Sequence, residues 1–211
     1  MDRREFLKKS AIGIASVAAV SVLGKTVYDM IEENEEQTEE NSNAMKKIVI
    51  LNGSPRKNGK TASLVNAFVE GAKSAGHEVR EYYLQGMNIG GCLACEACSR
   101  NGGKCVQRDD MDTVSDAYEW ADVIVFSSPM FWSTVSGQLK TCIDRLYAVQ
   151  NKLGYTTTRE TALLMTARGN DYSYALDFYH IFTEMLGWKD WGTVLGAGKE
   201  EEARALGASI K

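Results

Sequence analysis

The chain has 211 residues, of which 44% are hydrophobic and 25% charged, a balance typical of one globular domain with a sizeable core. Its formal net charge of −4 arises in residues 1–44, which hold nine of the 28 acidic and five of the 24 basic residues. Because the two signs balance in the remainder, the composition excludes a basic surface for a nucleic-acid partner.

The first 24 residues resemble an export signal. Arg3 and Arg4 begin a short charged region, and an apolar stretch runs from 11 to 23. This stretch is shorter than the roughly 20 apolar residues that a membrane-spanning helix needs. The order Arg-Arg-Glu-Phe-Leu-Lys resembles a twin-arginine signal, a route that exports proteins already folded around a cofactor. We therefore expect residues 1–24 to be a twin-arginine-type signal, or an uncleaved anchor that contacts the membrane. The protein would then reside in the periplasm or on the outer face of the cell membrane.

Residues 25–44 are predicted to form an acidic, disordered linker. Six glutamates lie between 32 and 40, and few apolar side chains are available to bury. The folded domain is predicted to occupy residues 45–211. Translation from Met45 would instead yield a cytoplasmic form.

From residue 45 onward, short apolar runs alternate with longer stretches of helical periodicity. The apolar runs predict strands at 48–51, 78–84, 123–126, 162–165 and 191–195, of which the second has the weaker pattern of an edge strand. The periodic stretches predict helices around 64–72, 111–120, 139–147, 178–185 and 200–208.

This alternation predicts an α/β fold with a doubly wound, five-stranded parallel sheet. A domain of this size fits the flavodoxin-like strand order 2-1-3-4-5, in which ligands bind beyond the carboxyl ends of strands 1 and 3. Pro55 and Pro129, the two prolines of the chain, follow those same two strands. The ligand site is therefore predicted at this edge of the sheet.

The loop after the first strand has the chemistry of a phosphate site. It supplies hydroxyls, an arginine and a helix N-terminus, whose backbone N–H groups favour an anion. A P-loop has four residues between its first glycine and Gly-Lys-Thr, whereas five lie between Gly53 and Gly59. The spacing disfavours a nucleotide-binding switch and favours a monophosphate cradle. In such a cradle Ser54 and Thr61 would donate hydroxyls, and Arg56 would supply charge.

The sequence Gly-Ser-Pro-Arg after the first strand resembles the NADPH-dependent FMN reductase and iron–sulfur flavoprotein family. The resemblance continues through 128–133 and 136–140 to Asp144-Arg145, and it covers nearly all of residues 45–211. One departure is Lys60, where the family often has asparagine. The resemblance implies that the first loop holds the phosphate of FMN through Ser54, Arg56, Asn58, Gly59, Lys60, Thr61 and Ala62.

The segment after the third strand is apolar and aromatic, which suits a large flat ring. Gly137 is expected to let the following helix approach closely. No catalytic acid or base is required, because hydride enters and leaves at the flavin N5 and the protein supplies orientation and electrostatics. By resemblance the isoalloxazine ring is held by Pro129, Met130, Phe131, Trp132 and Ser133. By the same resemblance Arg168 and Gly169 border its pyrimidine edge, with a merely solvated Arg168 as the alternative.

Cys92, Cys95, Cys98 and Cys105 fall within fourteen residues. The first three have the spacing of a bacterial ferredoxin run, whereas zinc sites more often use two cysteine pairs separated by a longer loop. The whole spacing is similar to the compact motif of iron–sulfur flavoproteins, which implies a [4Fe–4S] cluster. Related reductases carry such a run without metal, and cysteines of exported proteins also form disulfides. A run without metal, disulfides and a zinc site therefore remain alternatives to the cluster. Cys142 is expected to be a small buried hydrophobe.

These features predict an FMN-dependent oxidoreductase that passes electrons between a donor and an acceptor, each a small molecule or a protein. The electrons would pass through a cluster where one is present. A pure electron carrier without a substrate site is the alternative. NAD(P)H is the co-substrate implied by the resemblance, whereas an exported protein would take electrons from a quinol or a protein partner. The resemblance also implies a homodimer or homotetramer.

Overall fold

The computed structural model describes residues 44–155 and 157–211. The predicted signal at 1–24 and all but the last residue of the predicted linker lie outside the described residues. None of the helices in the described ranges is long and apolar enough to cross a membrane.

The described chain contains five strands and six α-helices, together with a single 3-10 turn at Leu84–Gly86. The strands are β1 (Lys47–Asn52), β2 (Glu78–Tyr83), β3 (Val123–Pro129), β4 (Glu160–Thr166) and β5 (Lys189–Leu195). The helices are α1 (Lys60–Ser74), α2 (Ala97–Arg100), α3 (Met111–Trp120), α4 (Gly137–Leu153), α5 (Ser173–Met185) and α6 (Glu200–Ser209). Every predicted strand and helix is confirmed, while the four-residue α2 was not predicted.

All strand pairs are parallel, and the order across the sheet is β2-β1-β3-β4-β5, which confirms the predicted flavodoxin-like fold. The central strands β1, β3 and β4 are buried almost throughout, because helices cover both faces of the sheet. β2 lies at an edge and is half exposed, which explains its weaker apolar pattern.

The two faces of the sheet build two separate apolar layers. Successive strand residues point to opposite faces, so Val49 and Leu51 pack with α3, α4 and α5, whereas Ile48 and Ile50 pack with α1 and α6. In the second layer α1 and α6 also lie directly against each other.

Two glycines set the distance between α1 and α6. A Cβ added at Gly207 would overlap the carbonyl oxygen of Phe68, and one added at Gly71 would overlap that of Arg204. The Arg204 side chain reaches back across the same contact, with Nη2 at 2.7 Å from Oε2 of Glu70. The helices therefore touch through their backbones at these two positions.

Gly207→Ala is expected to destabilise the domain by about 1–3 kcal/mol, because the added methyl forces two packed helices apart. For a domain of this size each kcal/mol lowers Tm by roughly 2–4 °C. Gly137→Ala is the matched control, since a Cβ there meets nothing within 4 Å, and its Tm should stay equal or rise slightly. Thermal unfolding followed by circular dichroism measures both, and an unchanged Tm for Gly207→Ala would contradict the packing argument.

Candidate functional site

The loops that follow β1, β3 and β4 leave the sheet side by side. The Gly53 N–H donates to the Ser127 carbonyl at 2.8 Å, and the Met130 N–H donates to the Thr166 carbonyl at 2.7 Å. The ladder therefore continues one residue past β1 and one past β3. This brings together the three loops to which the sequence assigned the flavin.

Two buried serines, Ser128 and Ser136, hold the loop after β1 against the loop after β3. Ser136 Oγ donates to the Gly53 carbonyl at 2.7 Å, and the Ser136 N–H donates to Ser128 Oγ at 2.8 Å. Ser136 also caps α4, because its hydroxyl accepts from the Leu139 N–H at 3.4 Å. The sequence analysis gave Ser128 and Ser136 no role, although both stand within the family motifs.

Gly53 is the position at which α4 approaches the first loop most closely. A Cβ there would lie 2.6 Å from both Leu139 Cβ and Ser136 Oγ. The prediction that Gly137 provides this approach was wrong. Gly137 opens the first turn of α4 and faces solvent, so a side chain there meets nothing within 4 Å.

The start of α1 presents unpaired backbone donors. Its N-cap residue, Gly59, has no side chain to accept from them, and the N–H groups of residues 60–62 find no acceptor among the described residues. The first turn contains no acidic residue, and the exposed side chains of Arg56 and Lys60 form no ion pair with any described residue. Backbone donors, helix dipole and two cations together favour an anion at this point.

The hydroxyls assigned to the phosphate already have partners within the protein. Ser54 Oγ accepts from the Arg56 N–H at 3.2 Å and donates to its carbonyl at 3.1 Å. Thr61 Oγ1 lies 2.7 Å from Thr166 Oγ1, and both groups are buried. These hydroxyls therefore shape the loop, while Asn58 lies exposed at its rim. The donors open to an anion are the backbone of α1, the two cations and whichever of the Thr61 and Thr166 hydroxyls accepts from the other.

The second loop ends in a tight two-residue turn. The backbones of Phe131 and Thr134 exchange hydrogen bonds of 2.9 and 3.1 Å, which leaves Trp132 and Ser133 at the tip. Their φ angles are +47° and +66°, in the left-handed region that residues other than glycine seldom adopt. Backbone strain of this kind costs about 1–3 kcal/mol per residue and clusters at ligand-binding sites.

This turn carries aromatic side chains into solvent. Trp132 is fully exposed and Phe131 is 45% exposed, although both stand at the end of a buried strand. Met130 is half-buried beneath them, and Pro129 is the last residue of β3. The arrangement offers an apolar wall to a flat ring. In the neighbouring third loop, Arg168 and Gly169 are also exposed, just beyond the end of β4.

The cysteine run forms a separate loop whose two ends are joined at its base. The Gly90 N–H donates to Asp109 Oδ2 at 2.9 Å, and the Asn88 N–H donates to Asp110 Oδ2 at 2.7 Å. The Asp110 N–H returns a bond of 3.0 Å to the Asn88 carbonyl. Residues 92–105 are thereby closed into one loop beside α4.

Arg145 of α4 clamps that base. Its guanidinium is 1% exposed and binds both carboxylate oxygens of Asp109, at 2.7 and 3.0 Å, and the Gly90 carbonyl at 2.7 Å. The hydrogen bond from Arg145 holds the pKa of Asp109 below its usual value. Burial alone would lower the pKa of Arg145, but its hydrogen bond to Asp109 raises it. The pair is therefore fully charged at neutral pH.

The four cysteines of the run line one cavity of about 250 Å³, walled on one side by α4 and Arg145. All of them are free thiols, and no three metal-binding side chains of the described residues meet at a single ion. A zinc site needs four ligands around one ion, whereas each thiolate of a [4Fe–4S] cluster binds its own iron. Four free thiols around one cavity supply the donor set that a [4Fe–4S] cluster requires.

Cys142 differs from the run in burial. It is fully buried in the apolar layer, and burial raises the pKa of its thiol to about 12. It therefore stays neutral, which confirms the predicted small buried hydrophobe.

Helix α4 connects the two candidate sites. Its N-terminal end, capped by Ser136, lies at the loops that follow β1 and β3. Arg145, eight residues after the first helical residue Gly137, lines the cysteine cavity. At 1.5 Å per residue, the two positions are about 12 Å apart along the helix axis. One rigid element therefore fixes the position of both.

The sheet order defines a flavodoxin-like α/β protein. The unpaired donors after β1 and the aromatic turn after β3 lie at its topological switch point, where such folds bind ligands. Within that class, residues 46–188 match the family described as NADPH-dependent FMN reductase, and the chain belongs to that family of FMN-dependent oxidoreductases. The resemblance inferred from the sequence motifs is thereby confirmed.

Similar proteins include two iron–sulfur flavoproteins. One, from Archaeoglobus fulgidus, is 37% identical over 102 residues, 48% of this chain and 46% of the relative. Another, from Methanosarcina thermophila, is 33% identical over 115 residues, 51% of this chain and 60% of the relative. The chain thus spans about half the length of the curated relatives it matches.

A solved structure with the same fold is the NAD(P)H:quinone oxidoreductase from Methanothermobacter marburgensis. Its TM-score is 0.60 at 21% identity, over 80% of this chain and 97% of that one. At this identity the likeness concerns the fold.

Proposed function

We propose that this protein binds FMN and acts as a flavin-dependent oxidoreductase that passes electrons between a donor and an acceptor. The observation that carries the proposal is the unpaired set of donors at the start of α1, beside a strained aromatic turn after β3. FMN carries a monophosphate at one end, which suits the donors at α1, and a flat ring at the other, which suits the aromatic turn. Bound FMN supplies hydride and electron chemistry at its N5.

Each loop has a distinct task in this proposal. The N–H groups of residues 60–62, with Arg56 and Lys60, hold the phosphate. Phe131 and Trp132 shield one side of the ring from water. Arg168 and Gly169 lie at the pyrimidine edge, where the arginine offsets the negative charge of reduced flavin.

The first test is the absorbance of the purified full chain after addition of FMN and removal of the excess. Retained bands at about 370 and 450 nm are expected of a bound flavin. A protein that remains colourless would contradict the proposal. Adding riboflavin in parallel shows whether the phosphate contributes to binding.

Arg56→Gln is expected to weaken FMN binding about tenfold while leaving riboflavin binding nearly unchanged. A charge-assisted hydrogen bond contributes about 1.5–3 kcal/mol, and 1.4 kcal/mol corresponds to a factor of ten. Lys73→Gln removes the same charge from the other end of α1 and should change neither affinity. Fluorescence titration with both flavins measures the ratio, and an equal loss for the two would place Arg56 away from the phosphate.

We further propose that Cys92, Cys95, Cys98 and Cys105 hold a [4Fe–4S] cluster. The support is their shared cavity and free thiols. Anaerobic reconstitution with iron and sulfide should load about four irons per chain and give a broad shoulder at about 400 nm that acid destroys. Cys95→Ser should lose it, whereas Cys142→Ala, which alters the buried thiol outside the cavity, should keep it. A wild-type chain that binds zinc or no metal would contradict the assignment.

The electron donor follows from where the protein works. Arg3 and Arg4 support export by the twin-arginine route, which would place the domain away from NADPH and favour a quinol or a protein as donor. Steady-state assays with NADPH, NADH and a menaquinol analogue decide between donors, and rapid NADPH oxidation would contradict this part. Cell fractionation of the wild type and of Arg3→Lys with Arg4→Lys tests the export itself. Reduction of a protein partner without turnover of any small substrate would favour the pure electron carrier.

We also propose that the protein is a homodimer or homotetramer. Large apolar side chains stand exposed on α4 and α5, including Tyr147 at 45%, Met185 at 64% and Ile181 at 67%. Exposed apolar groups of this size favour contact with another surface. Light scattering of the full chain tests the assembly, and a monomer at micromolar concentration would contradict it.

A further inference from the structure

One nitrogen of the Arg145 guanidinium has no partner. Nη1 and Nη2 are used by Asp109 and Gly90, but Nε is buried and finds no acceptor among the described residues. Buried N–H donors are nearly always hydrogen-bonded in folded proteins, so an orphan needs an explanation. Arg145 lines the cysteine cavity, and the Cys105 thiol lies beside its guanidinium.

The contacts that Arg145 already makes fix its orientation. The fork to both oxygens of Asp109 prevents rotation of the guanidinium plane, and Asp109 is itself held by the N–H groups of Gly90 and Met111 at 2.9 and 3.1 Å. The free N–H therefore keeps one direction whether or not a ligand is present. A donor fixed in this way costs no reorganisation when an acceptor arrives.

A cluster and its thiolates would supply the missing acceptor. Such a group carries net negative charge, and N–H groups that donate to its sulfurs are among the factors that set its reduction potential. Partners of this kind also retain the metal, since their loss typically costs 10–100-fold in metal affinity. Nη1 already uses both of its N–H groups, on Asp109 and Gly90, and Nη2 uses one of its two on Asp109.

We propose that Arg145 is a positioning residue for the cluster, in which its Nε–H donates to a sulfur of the cluster or of its Cys105 ligand and Asp109 holds it in place. This inference rests on the proposed cluster assignment. It predicts that Arg145 slows the loss of iron and makes the cluster easier to reduce.

The variant Arg145→Lys separates this role from simple support of the loop. Lysine keeps the positive charge that Asp109 requires, but it lacks the planar fork that serves three partners at once. Arg108→Lys is the matched control, on the segment that carries Asp109, because Arg108 is 71% exposed and its ion pair among the described residues is with Asp112, at 3.7 Å.

The experiment uses the full chain, reconstituted anaerobically with iron and sulfide. Iron release to a chelator is expected to be about tenfold faster in Arg145→Lys than in the wild type or Arg108→Lys. Spectroelectrochemical titration of the loaded protein should show a lower midpoint potential in Arg145→Lys alone. Flavin binding and thermal unfolding of the unloaded chains report whether the fold is intact. If Arg145→Lys fails to fold, Arg145→Met combined with Asp109→Leu removes both buried charges together and takes its place.

The outcomes separate the inference from the cluster assignment. Wild-type iron release and wild-type potential in the Arg145 variant overturn the inference and leave the cluster in place. Faster iron release at an unchanged potential would mean that Arg145 only stabilises the cysteine loop and does not donate to a sulfur. That result also overturns the inference. A wild-type chain that takes up no iron overturns both.

Discussion

Gly53→Ala is expected to lower the affinity for FMN by about 10- to 100-fold. The new methyl would lie 2.6 Å from Leu139 Cβ and from Ser136 Oγ, and both of those residues are fully buried. Neither can move without disturbing α4, so the first loop must shift instead. Overpacking of this kind costs about 1–3 kcal/mol, and 1.4 kcal/mol corresponds to a factor of ten in affinity.

The shift matters because the same loop leads into α1. Ser136 Oγ donates to the Gly53 carbonyl at 2.7 Å, and six residues after Gly53, Gly59 precedes the first turn of α1, whose N–H groups are the proposed phosphate donors. Moving Gly53 therefore separates the phosphate donors after β1 from the aromatic turn after β3. FMN spans both, so it loses contact with one of them.

Two further variants identify the cause of the loss. Ser136→Ala deletes the brace without adding bulk and should weaken FMN binding by less than Gly53→Ala does. Gly137→Ala adds a methyl one residue further on, in open space, and should bind FMN as the wild type does. Fluorescence titration gives the affinities and thermal unfolding reports the fold. Wild-type affinity in Gly53→Ala would show that the two loops need not be held together.

The fold follows from features that are local in sequence. β1, β3 and β4 are covered on both faces, so their apolar runs are continuous and easily recognised. α1 begins at Lys60, four residues before its first predicted apolar position, because Lys60 and Thr61 are polar and the apolar pattern does not reach the start of the helix. The strand order then follows from alternation and chain length.

The site could be predicted only as far as its loops. Motifs on single segments indicated the loops after β1 and β3 as the candidate site, but they do not show which atoms pair across the structure. Ser136 and Gly53 are 83 residues apart, and Arg145 and Asp109 are 36 apart. Such contacts depend on how the helices pack over the sheet, which one sequence does not reveal. The left-handed backbone of Trp132 could not be predicted either, because a bulky residue other than glycine seldom adopts a positive φ.

Asp109→Ala is expected to destabilise the protein by about 3–5 kcal/mol, because it leaves the charge of Arg145 buried without its partner. The Arg145 side chain is 1% exposed, so water cannot replace the lost carboxylate. Asp112→Asn is the control on the same segment, since its pair with Arg108 is exposed on both sides and should contribute less than 1 kcal/mol. Urea unfolding at pH 7 measures both.

The same ion pair should give the protein a characteristic response to acid. The pKa of Asp109 is lower in the folded chain than in the unfolded one, chiefly through its hydrogen bond to Arg145. Its contribution to stability is therefore complete above the ordinary aspartate pKa of about 3.9, and it is lost as the pH falls through the lower, folded value. Asp109→Asn cannot titrate and keeps much of the side-chain shape, so its stability should decline less steeply below about pH 4 than that of the wild type. Equal slopes for the two proteins, measured by urea unfolding across this range, would mean that Asp109 is not ionised in the folded chain and that Arg145 is held by other groups.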